Sequence, residues 1–304
     1  MEKCFDCPRK CGVDRKNRLG ACHAPADLLV ARIDLHMWEE PPISGTQGSG
    51  TIFFGGCSLG CVFCQNRAIR DGEVGRVLSD DALVEEAVAL VERGAHNINL
   101  VTPTHYTRRL VPILEALRRR IKVPIVWNSS GYESVESLRL LEGLVDVYLP
   151  DFKYISPDLA AYSHAPDYAE VAARAVEEMF RQRGPIVFDE NGLVQSGLIV
   201  RHLVLPGGRH DSVAVLDRLA EILPPEAFRL SLMSQYTPDF VDKTAYPGLG
   251  RRITSFEYNF VLKHALSLSF DGYFQDRSSA TATFTPDFGA KLDSVEASGK
   301  RGNT

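Results

Sequence analysis

Hydrophobic and polar positions follow two different periods along this chain. Short runs of apolar, mostly β-branched or aromatic residues are typical of strands buried on both faces. Longer segments repeat apolar residues every three to four positions, as amphipathic helices do. The first pattern predicts strands at residues 51–54, 97–101, 123–127, 145–149, 198–205 and 228–233. The second predicts helices between most of them, at residues 80–93, 108–120, 134–143, 168–184 and 212–223.

Strands separated by helices of this length indicate βαβ units and a parallel sheet. About six such units predict an α/β fold, a complete or partial barrel with its functional residues at the carboxyl ends of the strands. Residues 185–194 interrupt the alternation with the pattern of a hairpin. We expect residues 1–45 to form an N-terminal segment and lead-in, and residues 46–285 to form the barrel. Residues 286–304 are polar, and we expect a mobile tail there.

Composition narrows the class of protein. With 304 residues, 44% of them hydrophobic, the chain can bury a full core. Its net charge of −5 argues against a nucleic-acid partner, because such domains usually carry a basic stripe. No stretch reaches the roughly 18 apolar residues of a membrane span. The N-terminus lacks the apolar core of a signal peptide, so we expect a cytoplasmic protein without membrane partners.

All seven cysteines lie in the first 64 residues. An odd number in a chain without a secretion signal disfavours a disulfide framework and favours metal or redox chemistry. Cys57, Cys61 and Cys64 follow a predicted strand with the spacing C-x3-C-x2-C. Three thiolates are one short of the four that fully ligate a cubane iron–sulfur cluster, so one iron would keep an open position. The alternative is a zinc loop or a set of buried free thiols.

The other four cysteines supply a closed set of ligands. Cys4, Cys7, Cys11 and Cys22 have the spacing C-x2-C-x3-C-x10-C. Four thiolates suit a structural zinc ion and equally suit a second iron–sulfur cluster. Both assignments stay open, as does a set of unligated thiols.

The motif at residues 57–64, with Phe63 before its last cysteine, resembles the signature of radical S-adenosylmethionine (SAM) enzymes. Within that superfamily the chain is most similar to the pyruvate formate-lyase activating-enzyme group. It resembles in particular the uncharacterised homologues that carry an N-terminal cysteine motif. The supporting phrases lie at residues 38–54, 56–66, 97–106, 127–133, 149–154 and 201–207. The resemblance covers roughly residues 1–277.

This resemblance implies a partial (β/α)6 TIM-like barrel with a small N-terminal Cys4 metal-binding segment. It implies a 4Fe-4S cluster on the three cysteines of the 57–64 motif, SAM as cofactor, and a reductant such as flavodoxin or ferredoxin. The implied activity is cleavage of SAM to a 5'-deoxyadenosyl radical that abstracts hydrogen from a protein or peptide. An alternative is modification of a small molecule or of another peptide side chain. An alternative of another class is an electron-transfer or metal-binding protein that never cleaves SAM.

Individual site residues follow from the same resemblance, position by position. Phe63 is implied to lie near the adenine, and Arg201 opposite the SAM carboxylate. Residues 128–130 stand where activating enzymes have an Asp-Thr-Asn stretch near the ribose and a cation site. The motif at 151–153 matches their Asp-x-Lys. The cofactor-binding residues so implied, apart from those near the ammonium group, are Phe63, Asn128, Ser129, Ser130, Asp151, Lys153 and Arg201.

Two departures from the family pattern are visible. The sequence Thr102-Pro103-Thr104-His105 replaces the Gly-Gly-Glu that usually grips the SAM ammonium group, so we expect Thr102 and Thr104 to accept from it. Asn128 replaces an aspartate. His105 and Tyr236 fall at strand ends and are candidate catalytic residues.

Plainer interpretations stand beside these roles. Asp151 and Lys153 could form an ordinary salt bridge at the barrel rim, and a lone histidine is often structural. We interpret Glu39 and Glu40 as part of a lid stiffened by two prolines rather than as acid/base groups.

Overall fold

The computed structural model describes residues 3–275. Within that range its strands are β1 (Leu28–His36), β2 (Ser49–Phe54), β3 (Arg76–Leu78), β4 (Ile98–Val101), β5 (Ile125–Ser129), β6 (Val147–Pro150), β7 (Val187–Phe188), β8 (Val194–Leu203), β9 (Arg229–Met233) and β10 (Gly272–Phe274). Its α-helices are α1 (Pro41–Ser44), α2 (Arg67–Arg70), α3 (Asp80–Glu92), α4 (Thr107–Arg120), α5 (Val135–Arg139), α6 (Pro157–Ala160), α7 (Tyr168–Arg183), α8 (Arg209–Ile222) and α9 (Ser255–Ser267). The tail predicted for residues 286–304 lies outside the described residues.

The strands form one sheet in the order β10-β9-β8-β6-β5-β4-β2-β1-β3. From β2 to β10 every neighbouring pair is parallel, and the strands follow one another in chain order. β1 pairs antiparallel with β2 and with β3. These are seven parallel strands, and the first six, each followed by a helix, make the partial (β/α)6 barrel that the sequence predicted.

Alternation along the strands sorts side chains between the barrel interior and the helix layer. On β5, Ile125 and Trp127 join the large core that packs under the helices. Val126, between them, joins a separate small apolar cluster with Ile43 of α1. Asn128 follows Val126 on the same face of the strand. The interior therefore has an apolar floor with polar side chains above it.

Local signals explain where the helices begin. Ser79 caps α3 by accepting a hydrogen bond from the backbone N–H of Ala82, and two aspartates occupy the first turn. Thr254 and Glu257 form a capping box at α9. That helix, like β1, β3 and β10, was not among the predicted elements. The predicted hairpin is present, because β7 pairs antiparallel with β8.

The predicted elements are all present, with shifted bounds. The largest shifts are four residues: α5, predicted for residues 134–143, ends at Arg139, and β8, predicted from residue 198, begins at Val194. No helix within residues 3–275 is long and apolar enough to cross a membrane.

Candidate functional site

The loop after β2 places three cysteines at the carboxyl end of the first parallel strand. Cys57, Cys61 and Cys64 carry free thiols. Burial, together with the neighbouring thiol of Cys61, raises the pKa of the Cys64 thiol to about 12 and the pKa of Cys57 further. The positive charge of Lys153 lies near both thiols and opposes the rise. One buried and two partly buried thiols beside a cation suit a cluster whose irons would stabilise the thiolate form.

The N-terminal segment packs directly on this cysteine loop. The backbone N–H of Cys57 donates to the carbonyl of Cys22 at 3.0 Å. Arg9 Nε donates to the carbonyl of Ser58 at 2.8 Å. A Cβ on Gly56, whose φ is +89°, would lie 2.6 Å from the Cys22 carbonyl oxygen. Only glycine allows this approach, so the two cysteine motifs form one contiguous region.

The four N-terminal cysteines are brought together. The thiols of Cys22, Cys4 and Cys11 lie near enough to the Cys7 thiol to affect its pKa. All four thiols are free. Burial raises the pKa of Cys7 to about 12. Among residues 3–275, no group of three or more His, Cys, Asp or Glu side chains is arranged around a single metal ion. A cubane cluster makes a different demand, because each thiolate binds a separate iron.

Arg201 of β8 is the centre of a charged layer inside the barrel. Its Nε donates to Asp151 Oδ1 at 3.0 Å, and its Nη2 donates to Asn128 Oδ1 at 2.5 Å. Lys153 Nζ donates to the other Asp151 oxygen at 2.6 Å. Although burial opposes it, the two cations hold the pKa of Asp151 below its usual range. The layer thus runs from the barrel interior to the cysteine loop through Lys153.

The segment between β1 and α1 completes this layer with Glu39. Its Oε2 lies 3.5 Å from Arg201 Nη1, and its Oε1 accepts from Asn99 at 3.1 Å. Burial, with Glu40 nearby and against the effect of Arg201, raises the pKa of Glu39 to about 7. One carboxylate oxygen of Glu40 and the amide oxygen of Asn99 are buried without a hydrogen-bond partner. Buried polar atoms of this kind are what a polar ligand would satisfy.

Glu39 and Asn99 are the site residues that sequence reasoning missed. Glu39 was interpreted as part of a lid, yet it reaches into the barrel beside Arg201. Asn99 lies in the middle of an apolar strand run, and a buried amide in such a run was the available signal. Its position facing Glu39 depends on a contact across sixty residues.

Thr102 adopts the backbone conformation of a glycine at the end of β4. Its φ is +58°, in the left-handed region that β-branched residues rarely occupy. Its backbone N–H donates to the carbonyl of Asn128 at 2.9 Å. Strain of this kind persists where the surrounding structure fixes it, often at functional sites. The geometry at this position is therefore glycine-like although the residue is not glycine.

Thr104 contacts a different part of the molecule from the charged layer. Its hydroxyl donates to Glu133 Oε1 at 2.8 Å, and Trp127 Nε1 donates to the same oxygen at 3.1 Å. Glu133 is 2% exposed, and burial raises its pKa to about 7. Ser129 lies near Glu133, and its hydroxyl accepts from the Gly131 N–H at 3.2 Å. Thr104 and Ser129 thus face the helix layer, on the side of Trp127, whereas the expected SAM contacts lie with Asn128 on the other face.

The two candidate catalytic residues are both packed into the structure. His105 is 1% exposed, and its Nε2 lies 2.9 Å from the carbonyl oxygen of Gly55 in the cysteine loop. Burial lowers the pKa of His105 to about 3, so its ring is neutral. Tyr236 is 1% exposed and donates to the carbonyl of Leu249 at 2.7 Å. The contacts of both side chains are those of positioning residues.

Phe63 and Ser130 lie at the edges of the layer. The Phe63 ring packs edge-on against Tyr236, with centroids 6.1 Å apart. Ser130 is partly exposed, and its carbonyl accepts from Tyr168 at 2.7 Å. The same Tyr168 hydroxyl contacts the carbonyl of Asp151 at 2.9 Å, which joins the ends of β5 and β6.

Known proteins from two organisms are similar to this chain in sequence. An uncharacterised protein of Methanocaldococcus jannaschii is 29% identical over 281 residues, covering 89% of this chain and 76% of that protein. A putative glycyl-radical enzyme activating enzyme of Haemophilus influenzae is 30% identical over 119 residues, covering 37% of this chain and 45% of the relative.

Solved structures match at lower similarity. The crystal structure of methylornithine synthase is 13% identical at a TM-score of 0.48, covering 71% of this chain and 63% of that one. The radical SAM methyltransferase TsrM from Kitasatospora setae, with cobalamin and a 4Fe-4S cluster bound, is 17% identical at a TM-score of 0.45. That match covers 69% of this chain and 41% of the methyltransferase.

A family model identifies the domain that carries the cysteine loop. Residues 51–191 match the radical SAM superfamily. The match begins within β2, includes Cys57, Cys61 and Cys64, and continues past Asp151 and Lys153. This match spans 141 of the 304 residues, and within it the chain is similar to the radical SAM superfamily.

Proposed function

We propose that the protein cleaves bound SAM reductively and abstracts hydrogen from a protein or peptide substrate, as activating enzymes do. The main support for an enzyme is the charged layer around Arg201 beside the cysteine loop. A protein that only carries electrons has no need of a charged pocket next to its cluster. The local similarity to a putative glycyl-radical enzyme activating enzyme supports a polypeptide substrate. Reductive cleavage of SAM at a 4Fe-4S cluster, yielding a 5'-deoxyadenosyl radical, is the chemistry that this superfamily supplies.

The chain's own residues would hold SAM in two ways. Arg201 presents a fixed fork of donors, and its Nη1 has only a 3.5 Å contact with Glu39. That edge of the guanidinium can donate to the SAM carboxylate while Nε keeps its bond to Asp151. Near the cysteine loop, the face of Phe63 can cover the adenine.

Residues 102–105 would serve SAM binding through the backbone rather than through side chains. Thr102 holds the glycine-like turn, and the Thr104 hydroxyl is already committed to Glu133. The carbonyls of Pro103, Thr104 and His105 already accept from Tyr106, Thr107 and Arg15. The acceptor left for the SAM ammonium group would therefore be the carbonyl of Thr102.

Electron paramagnetic resonance of anaerobically reconstituted protein tests the SAM part of this proposal. The reduced cluster signal should change when SAM is added, and 5'-deoxyadenosine should accumulate with dithionite. Protein with Cys57, Cys61 and Cys64 all replaced by alanine should lose both responses. An unchanged signal and no cleavage in the parent protein would favour the electron-transfer alternative.

Isotope transfer tests the class of substrate. Extract from cells grown in deuterated water is separated into macromolecular and low-molecular-mass fractions, and each is offered to the reduced enzyme with unlabelled SAM. Deuterium should appear in 5'-deoxyadenosine only with the macromolecular fraction, and protease treatment should abolish it. Label from the low-molecular-mass fraction alone would contradict a protein substrate and support modification of a small molecule.

A further inference from the structure

The N-terminal segment carries a charge opposite to that of the whole chain. Residues 3–22 contain six lysines and arginines and two aspartates, a net charge of +4, whereas the chain has a net charge of −5. Lys3, Lys10, Lys16 and Arg18 are exposed. A surface region of one sign favours association with a partner of the other sign and speeds their encounter.

Helix α4 extends this positive surface and closes it into a groove. The groove has a volume of about 530 Å³ and is lined by five basic and two acidic side chains. Lys3 and Lys16 come from the N-terminal segment, and Arg108 and Arg109 come from α4. Cys4, a member of the four-cysteine set, lies in its wall. The groove therefore combines positive charge with direct access to the N-terminal cysteine centre.

Part of this charge already has a structural use. Arg15 donates to the carbonyl of Ala24 and lies over the ring of Tyr106, 4.6 Å from its centroid. Arg108 pairs with the buried Asp6 at 3.0 Å. An anionic centre on four thiolates would account for arginines turned inward. It does not account for Lys3 and Lys16, which are exposed where the groove meets solvent.

We propose that this groove is the docking site of an acidic electron-carrier protein. The proposal rests on the proposed function, because it needs a chain that consumes electrons at its cysteine centres. In the docked complex the carrier is oxidised by one electron, and the 4Fe-4S cluster that Cys57, Cys61 and Cys64 would hold is reduced by one. Cys4 in the groove wall gives the electron its entry, and the Cys22 carbonyl is hydrogen-bonded to the Cys57 N–H at 3.0 Å. A short path through the protein thus joins the two cysteine motifs.

A substrate polypeptide is a poorer occupant of this groove. The groove lies on the outer side of the barrel, between the N-terminal segment and α4. Arg201, Asp151 and Lys153 are not among its lining residues. Hydrogen abstraction requires the reacting groups to be within contact distance, so a substrate must reach the barrel interior instead.

Binding measurements on the full-length protein, prepared anaerobically, test the proposal directly. The probes are an acidic flavodoxin and an acidic ferredoxin, each titrated by calorimetry at low and at physiological salt. The variant Lys3→Glu/Lys16→Glu should weaken carrier binding at least tenfold at low salt and reduce its salt dependence. The matched control is Lys122→Glu/Lys263→Glu, which makes the same charge change at two exposed lysines outside the groove. The control should change affinity less than twofold.

Kinetics separate the docking proposal from the proposed function. In the groove variant the ratio of flavodoxin-driven to dithionite-driven SAM cleavage should fall at least tenfold, because dithionite needs no docking site. Absence of cleavage with dithionite in the parent protein refutes the proposed function, whereas the calorimetric result still decides the docking surface. Equal loss of affinity in both variants, or binding of neither carrier, overturns the docking proposal. So does an oligonucleotide that binds the groove lysines while neither carrier binds.

Discussion

Arg201 is held by side chains from three other parts of the fold. Asp151 follows β6, Asn128 lies on β5, and Glu39 precedes α1. A guanidinium with this many fixed acceptors keeps one orientation without bound ligand, which lowers the entropy lost when a carboxylate binds. Thr104 has no such position, because its hydroxyl faces Glu133. The two residues therefore differ in what their removal should do.

We expect Arg201→Ala to weaken SAM binding by about tenfold or more, because a carboxylate would lose a charge-assisted donor pair worth ~1.5 kcal/mol or more. Thr104→Val should leave SAM affinity nearly unchanged. It should instead lower the free energy of unfolding by about 1–2 kcal/mol, because buried Glu133 loses a donor. Calorimetry with SAM and chemical denaturation of both variants measure the two effects. Equal SAM affinity in Arg201→Ala and the parent would show that SAM binds elsewhere.

The raised pKa of Glu133 predicts that the stability of the protein depends on pH. That pKa is raised by burial to about 7 in the folded protein, above the value near 4.5 of an unperturbed glutamate. Between these two pH values the folded state therefore binds more protons than the unfolded state. The contribution of Glu133 to stability is fully present below pH 4.5 and is lost as pH rises through 7. The total loss is on the order of 3 kcal/mol.

Replacement by glutamine isolates this contribution. Glu133→Gln keeps an acceptor for Thr104 and Trp127 but does not titrate, so its unfolding free energy should fall less than that of the parent between pH 5 and 8. Urea unfolding across this range measures the difference. Parallel curves for the two proteins would mean that Glu133 has an ordinary pKa.

At the scale of elements, the turn between β5 and α5 depends on one close approach. Gly131 has a φ of +73°, and a Cβ there would lie 2.1 Å from the carbonyl oxygen of Asp151. That carbonyl also accepts from Tyr168 at 2.9 Å, so it is not free to move. The loop at the end of β5 and the end of β6 are thus fitted against each other at the charged layer.

Gly131→Ala should therefore lower the free energy of unfolding by more than the strain of placing an alanine in the left-handed region. Gly143 is a matched control, because its φ is +79° and nothing lies within 4 Å of its Cβ position. We expect Gly143→Ala to destabilise by about 1 kcal/mol and Gly131→Ala by at least about 2 kcal/mol more. Thermal and urea unfolding of the two variants test this. Similar losses in both would show that the Asp151 carbonyl can yield.

At the scale of the whole molecule, the two cysteine motifs are parts of one structure. Arg9 from the N-terminal segment donates to the carbonyls of Ser58 and Ser163, and the Cys57 N–H donates to Cys22. Order in the segment and order in the loop should therefore depend on each other. Metal binding by small cysteine sites contributes directly to folding, because the unfolded chain has no preformed site.

We expect replacement of Cys7 and Cys22 by serine to remove one metal centre and to loosen both motifs. Metal analysis of the parent, the variant and the Cys57/Cys61/Cys64 alanine variant assigns iron or zinc to each site. Amide hydrogen exchange should accelerate at residues 4–24 and also at residues 55–64. Faster exchange confined to the N-terminal segment would show that the loop holds its shape alone. An unchanged metal content would refute the four-thiolate site.

Much of the fold was readable from local pattern. Period-two and period-3.6 hydrophobicity depend only on neighbours in the chain, so six of the seven parallel strands and the main helices were found from the sequence. The strands at the two edges of the sheet, β3 and β10, were missed because a local pattern needs several residues to be recognised. β3 and β10 have three residues each, too few for a period to show, and their stability comes from pairing with β1 and β9.

The sequence by itself also revealed the three-cysteine motif at residues 57–64, because the ligand spacing of a cluster loop is a local property. Tertiary structure decided which polar residues meet. Glu39 reaches Arg201 across 162 positions, and Thr104 turns to Glu133 on the opposite face of the sheet. It also brought α4 beside Cys4 to form the basic groove. These contacts depend on the path of the chain around the barrel, because a buried polar group forms hydrogen bonds with whichever partner the packing brings within reach.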